Sequence, residues 1–182
     1  MSIKKDFDIA QSLYISAFPK DERRPIKSIT ELLQEDYFEF IPLYTDNEFV
    51  GFATLWMFEK FAYLEHFAIR PEKRNGGIGF AFIKALQENS IKDSKLIFTL
   101  PQKTIKNIVI EVEKPDNEIA RKRIGFYERL GFKILDNYYF QPPYSKENSG
   151  LEMKVMTYFN DREIEFEQIK NKLYKYVYKA TV

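Results

Sequence analysis

The stretch Arg74-Asn75-Gly76-Gly77-Ile78-Gly79 is the part of this chain best suited to chemistry. It follows a strand-like run, Leu64–Ile69, and a turn, Arg70-Pro71-Glu72-Lys73, and it leads into a helical pattern. Glycines let the main chain approach a ligand with no Cβ in the way. A helix N-terminus adds unpaired N–H groups and the positive end of the helix dipole. Together they make an anion site suited to phosphate or pyrophosphate, with Lys73 and Arg74 adding charge beside it.

Two common phosphate loops do not fit. A Walker A loop needs Lys-Ser/Thr where Phe80-Ala81 stands. A dinucleotide fingerprint puts Phe82 at its third glycine and Ile97 where an acid is required. Spacing alone leaves a third reading open, a plain glycine turn opening a helix.

The elements around this loop are mixed in type. Asp6–Phe18 reads as a helix with Ile9, Leu13 and Ala17 on one stripe, ended by Pro19, and Ser28 is placed to cap a short helix over Ile29, Leu32 and Leu33. Phe38–Tyr44, Phe49–Phe58 and Ala62–Ile69 read as strands, with Asp46-Asn47 as a turn, which predicts an antiparallel meander. The helix after the glycine loop carries Ile78, Phe82, Ala85 and Leu86 on one face, and Ile108–Val112 reads as a buried strand. Asn117–Leu130 reads as a helix closed by Gly131, with Ala120, Ile124 and Tyr127 on a stripe. Phe132–Phe140 and Leu151–Phe159 read as further strands, and the tail from Asp161 as a helix with Phe166, Ile169, Leu173 and Val177 inward. The fold class is therefore α/β or α+β, a mixed and mostly antiparallel sheet of about six to seven strands flanked by helices.

Composition removes several function classes. With 28 Lys and Arg against 27 Asp and Glu, the net charge of +1 gives no basic surplus for sequence-independent nucleic-acid binding. The absence of cysteine removes disulfides, thiolate-bound zinc and an acyl-cysteine intermediate, and a single histidine, His66, leaves no His-rich metal site. No metal is expected. No apolar run approaches the roughly 18–20 residues of a membrane helix, and no signal peptide opens the chain, so the expected location is the cytoplasm, with no membrane partner.

The glycine loop fits Arg-x-x-Gly-x-Gly throughout and so resembles the acyl-CoA loop of the GNAT superfamily of N-acetyltransferases. Tyr63–Pro71 resembles that family's fourth strand and its exit, and Ile124–Phe132 is similar to its tyrosine helix followed by Gly-Phe. The resemblance spans residues 5–160; residues 1–160 are expected to form one GNAT domain, with 161–182 as a C-terminal helix packed on it or at a dimer interface. Monomer and homodimer both stay open.

The resemblance implies a GNAT acyl-CoA N-acyltransferase fold and acetyl-CoA as cosubstrate. It implies that Phe67, Ala68 and Ile69 contact pantetheine through main-chain groups, and that Arg74, Asn75, Gly76, Gly77, Ile78 and Gly79 hold the pyrophosphate. Tyr127, a core residue by helical spacing alone, matches the tyrosine that protonates the departing thiolate. Ala120 stands where many members have an Asn seven residues before that tyrosine, which removes one cofactor contact.

An ammonium has no lone pair, so acetylation of an amine needs a base, and Glu65 is the candidate: mid-strand burial is expected to raise its pKa toward a useful value. A solvent-facing Glu65 is the plain alternative. Strand alternation puts His66 on the opposite face, as a packing histidine or as the base in place of Glu65. Glu22 and Arg23, in the Phe18–Pro25 segment, are candidate acceptor contacts, although a solvated charge run explains them as simply. Tyr139 and Tyr144, beside Pro142-Pro143, are candidate walls of the acceptor pocket. The implied function is acetyl transfer to a primary amine of a small molecule or peptide, by direct attack. The alternative is an acyl-CoA-binding sensor without turnover.

Overall fold

The computed structural model describes residues 3–180 except Lys146. In chain order the elements are α1 (Ile3–Ala17), α2 (Ile26–Leu32), β1 (Phe38–Thr45), β2 (Glu48–Met57), β3 (Ala62–Ile69), α3 (Ile78–Glu88), β4 (Leu96–Ile97), β5 (Asn107–Glu113), α4 (Glu118–Arg129), β6 (Lys133–Gln141), β7 (Leu151–Phe159) and α5 (Phe166–Lys172), which continues as a π-helical turn, Leu173–Tyr178. The strands form one open sheet in the order β4-β1-β2-β3-β5-β7-β6. The result is a seven-stranded mixed sheet flanked by helices, the architecture that the resemblance implies.

The β1-β2-β3 meander is antiparallel, turned between β1 and β2 at Asp46 and Asn47, whose positive φ of 51° and 63° suits a tight hairpin. Parallel strands need a crossover, and the segment carrying α3 supplies it between β3 and β5. The two sheet faces have separate cores. On one, Phe7, Ala10 and Tyr14 of α1, Ile29 and Leu32 of α2, and Ile169, Leu173 and Val177 of the tail pack with Phe52, Trp56 and Tyr63. On the other, Phe82, Ile83 and Leu86 of α3 and Ile124 and Tyr127 of α4 pack with Leu55, Leu64 and Ile110.

Three local expectations change. The buried stripe of α1 is Phe7-Ala10-Tyr14 with Leu13; Ile9 is 44% exposed, because the two aromatics fill more core than Ile9 and Ala17 would. Pro25, not Ser28, sits at the N-cap of α2, where a fixed φ suits the entry and no side chain caps. The tail helix begins at Phe166, five residues after Asp161. β4 was not legible in the sequence: it is two residues long and exists only by pairing with Tyr44 and Thr45.

Candidate active site

The cleft begins where two strands stop pairing. β3 and β5 match Ala62–Leu64 with Ile108–Ile110 and go no further, so they diverge from Glu65 and Glu111 onward. A cleft of about 610 Å³ occupies the opening and runs from the glycine loop to the segment between α1 and α2. It is lined from both cores, by Phe67 and Tyr127 of one and by Phe18, Tyr144 and Met153 of the other, so it passes through the sheet rather than lying on it.

The loop end is built from main chain. Asn75 and Gly77 have φ of 64° and 82°, which folds the loop back onto α3, and Gly77 is that helix's N-cap. At the start of α3 the Ala81 N–H donates to the Gly77 carbonyl at 2.9 Å, and the N–H groups of the preceding turn have no main-chain partner among the described residues, which suits a ligand. Arg74, Asn75, Gly77, Ile78 and Gly79 all line the cleft, as do Phe67, Ala68 and Ile69; Gly76 does not. Arg74 is held by its Nε donating to the Ile69 carbonyl at 3.0 Å, and Lys73 is tied to Glu48 at 2.6 Å. Gly79 keeps Phe67 and Phe126 within 3.5 Å of where a Cβ would stand, so the loop seats closely on the strand. These groups fit a pyrophosphate with a thin arm running along β3.

Tyr127 lines the cleft at 8% exposure, and its hydroxyl makes no hydrogen bond among the described residues. Burial pushes its phenol up to about 12. The group therefore stays protonated and is a standing O–H donor toward the cleft.

A β-bulge reorganises the expected base. The β2–β3 register slips between Thr54 and Leu55, so Thr54 pairs with His66 and Leu55 with Leu64. The extra residue is Glu65, and the slip turns Glu65 and His66 to the same face. Strand alternation does not survive here. The Glu65 side chain is fully buried, accepting from Arg24 Nε at 2.8 Å and from Trp56 Nε1 at 2.9 Å. Burial alone would raise its pKa, but Arg24, then His66 and the Trp56 N–H, outweigh that and hold it down at about 2. The expectation of a raised Glu65 is thus reversed: an ion pair inside the core wins over desolvation. Arg24 itself is buried, donates to the Val177 carbonyl at 2.5 Å, and lies 4.7 Å from the Tyr144 ring centroid.

His66 is 2% exposed and satisfied. Its Nδ1 meets Thr54 Oγ1 at 3.2 Å, its Nε2 lies 3.2 Å from the Glu22 carbonyl, and Tyr14 and Phe18 pack edge-on against its ring. Both ring nitrogens thus have buried partners, the arrangement expected of a packing histidine.

The four candidate acceptor contacts separate. Glu22 lines the cleft, and burial raises its pKa. Tyr144 lines it too. Arg23 does not; its Nη1 donates to the Ile15 carbonyl at 2.7 Å, which caps the end of α1. Tyr139 is 1% exposed and belongs to the core rather than the wall, with its hydroxyl on Glu111.

Glu111 is the residue that sequence reading passed over. It sits on β5 where the splay opens and lines the cleft. Its carboxylate accepts from Tyr139 at one oxygen and from Tyr63 (2.9 Å) and Tyr178 (2.5 Å) at the other. Burial raises its pKa to about 7 against the lowering by those three hydroxyls. The available signal was a lone carboxylate inside the apolar run Ile108–Val112.

Comparison with known proteins agrees with this geometry. The family model described as an acetyltransferase (GNAT) domain matches residues 36–134. A solved structure from Bacteroides thetaiotaomicron, described as an acetyltransferase assigned to the GNAT family, is 34% identical, with 97% of this chain and 94% of that one covered and a TM-score of 0.82. The ribosomal-protein-S18-alanine N-acetyltransferase of Escherichia coli shares the fold at 18% identity, covering 90% and 91%, with a TM-score of 0.58. A GNAT family acetyltransferase of Elizabethkingia anophelis, solved with acetyl-CoA bound, is 17% identical over 74% of this chain and 83% of that one, with a TM-score of 0.50. No curated protein matches the chain. With a family match across more than half of its length and a 34% identical relative across nearly all of it, the chain belongs to the GNAT family and is an acetyl-CoA-dependent acetyltransferase.

Proposed function

We propose that the enzyme moves the acetyl group of acetyl-CoA to a primary amine of a small molecule or peptide, by direct attack within a ternary complex. The observation that carries this reading is the cleft through the sheet: an anion-binding loop at one end, a carboxylate cluster at the other, and an unpaired stretch of β3 between. The main-chain N–H groups of Asn75, Gly77, Ile78 and Gly79 hold the pyrophosphate. Phe67, Ala68 and Ile69 offer main-chain groups to pantetheine, and N–H groups there polarise the thioester carbonyl. The acetyl-CoA in the Elizabethkingia structure supports the cosubstrate.

Tyr127 donates its O–H to the leaving sulfur. A thiol titrates near about 8.5, so a phenol at about 12 acts first as a hydrogen-bond donor and gives up its proton as negative charge gathers on sulfur. Glu65 stays ionised and positions Arg24, which braces the acceptor end. Glu22 and Tyr144 line the acceptor entrance. The chain has no cysteine to carry an acyl group, which supports direct attack. In the fold relative from E. coli the acceptor is the alanine of a ribosomal protein, so a peptide amine belongs in the test set. No described helix is long and apolar enough to cross a membrane.

The test is a thermal-shift comparison of acetyl-CoA, CoA, ATP and NAD, followed by free-thiol release over a panel of alkylamines, amino acids and short peptides. Stabilisation by acetyl-CoA and CoA with thiol release for one acceptor class is expected. Stabilisation by ATP alone sinks the cosubstrate assignment. Binding with no release across the panel leaves a sensor without turnover.

A further inference from the structure

Three hydroxyls converge on Glu111 from parts of the chain far apart in sequence: Tyr63 on β3, Tyr139 on β6 and Tyr178 in the C-terminal π-helical turn. Tyr178 also accepts from Gln141 Nε2 at 2.9 Å. Because Tyr178 gives its own proton to Glu111, the amide orientation is set, and Gln141 Oε1 is left buried on the lining of the cleft, without a partner among the described residues. A buried acceptor with no donor is costly unless a ligand supplies one. Carboxylate and amide oxygen together make an acceptor-only pocket, which suits a group rich in N–H.

We propose that this cluster is the ammonium subsite: Glu111 takes the proton from the incoming primary ammonium, Gln141 Oε1 receives a second N–H, and Tyr178 is a positioning residue that brings the C-terminal turn into the active site. The inference rests on the acetyl-transfer reading above and names its base.

The step balances. Of the ammonium's three protons, one passes to Glu111 and frees the lone pair. Nitrogen then bonds to the thioester carbon, the C–S bond breaks, and sulfur takes the proton of Tyr127. The second N–H proton restores Tyr127, the third stays on the amide, and Glu111 releases its proton to solvent.

Other groups facing Glu111 leave it as the one that changes charge near neutrality. Burial pushes Tyr63, Tyr139, Tyr144 and Tyr178 up, and they stay protonated. Glu65 stays ionised against Arg24. β7 brings Val155 opposite Glu111, and Arg123 of α4 is paired with Glu113. Burial, then the opposing tyrosines, sets Glu111 at about 7.

The experiment uses the full chain, Glu111→Gln and Tyr178→Phe, with acetyl-CoA binding by calorimetry as the control for an intact site. Thiol release is followed against pH with the best alkylamine or peptide amine of the panel. It is repeated with hydroxylamine, which is largely uncharged near neutrality and needs no base. Glu111→Gln is expected to lose on the order of a hundredfold in kcat/KM with the charged amine, to lose the acid limb of the profile, and to keep its rate with hydroxylamine. Tyr178→Phe is expected to stay active with its acid limb moved to higher pH, because a lost O–H donor favours the protonated carboxyl. A Glu111→Gln profile like the wild type, an equal loss with both nucleophiles, or an unmoved limb in Tyr178→Phe overturns the inference alone. A wild type that binds no acetyl-CoA, or releases no thiol with any amine, instead overturns the reading beneath it and the inference with it.

Discussion

The loop end of the cleft is main chain, and the acceptor end is side chain. At the loop end, one stretch from Phe67 to Gly79 supplies the groups argued to hold pantetheine and pyrophosphate. At the acceptor end, Glu22, Glu111 and the neighbours Gln141 and Tyr144 come from three separate segments of the chain, and Tyr178 holds Glu111 and Gln141 from a fourth. A ligand common to a whole family is read by N–H groups whose positions depend on backbone shape. An acceptor peculiar to one enzyme is read by side chains that can change singly. The two carboxylates at the apex repeat the contrast: Glu65 is locked by a cation, and Glu111 is held only by neutral hydroxyls.

The comparison can be broken most forcefully at Arg24. Arg24→Met leaves Glu65 buried without its cation, and a loss of about 3–5 kcal/mol in unfolding free energy is expected, measured by urea titration. A loss below about 1 kcal/mol would mean that the pair is screened and the acceptor end is not braced through it.

The carboxylates should also give opposite pH signatures. Glu65 is lowered to about 2 from 4.5, so its contribution is complete above that ordinary value and is lost as pH falls from 4.5 toward 2. Glu111 is raised to about 7, so the folded state holds a proton that the unfolded state has released, and stability falls as pH rises from 4.5 to 7 and then levels. Glu111→Gln should abolish the second slope and leave the first, as read from denaturation midpoints across that range.

Tyr127→Phe tests the middle of the cleft. A fall in kcat of roughly a hundredfold is expected with acetyl-CoA affinity little changed. An unchanged kcat would return Tyr127 to the core role that its helical stripe suggests.

The smallest effect is expected at the loop. Gly77→Ala meets no atom within 4 Å, so only its φ of 82° resists the substitution. About 1–2 kcal/mol of left-handed strain should weaken acetyl-CoA binding by roughly tenfold and leave kcat at saturation alone. A change in kcat instead would show that loop and chemistry are coupled.

The glycine loop, the meander, the helix around Tyr127 and the buried run at 108–112 were all legible in the sequence, because each depends on short-range spacing. The base was not. Strand alternation predicts His66 opposite Glu65, and one bulge residue on β3 puts both on the same face. Mid-strand burial predicts a raised Glu65, but Arg24, forty-one positions earlier, meets it. The tyrosines beside Pro142-Pro143 suggest a cleft wall, whereas the strand turns the Tyr139 ring into the core and sends its hydroxyl to Glu111.

By itself, then, the sequence determined the family, the order of elements and the phosphate-binding loop, since local glycine and apolar patterns carry their geometry with them. Only the tertiary structure decided which carboxylate is neutralised and which is free to take a proton. That depends on which distant cation or hydroxyl folds against each one, and no spacing along the chain records it.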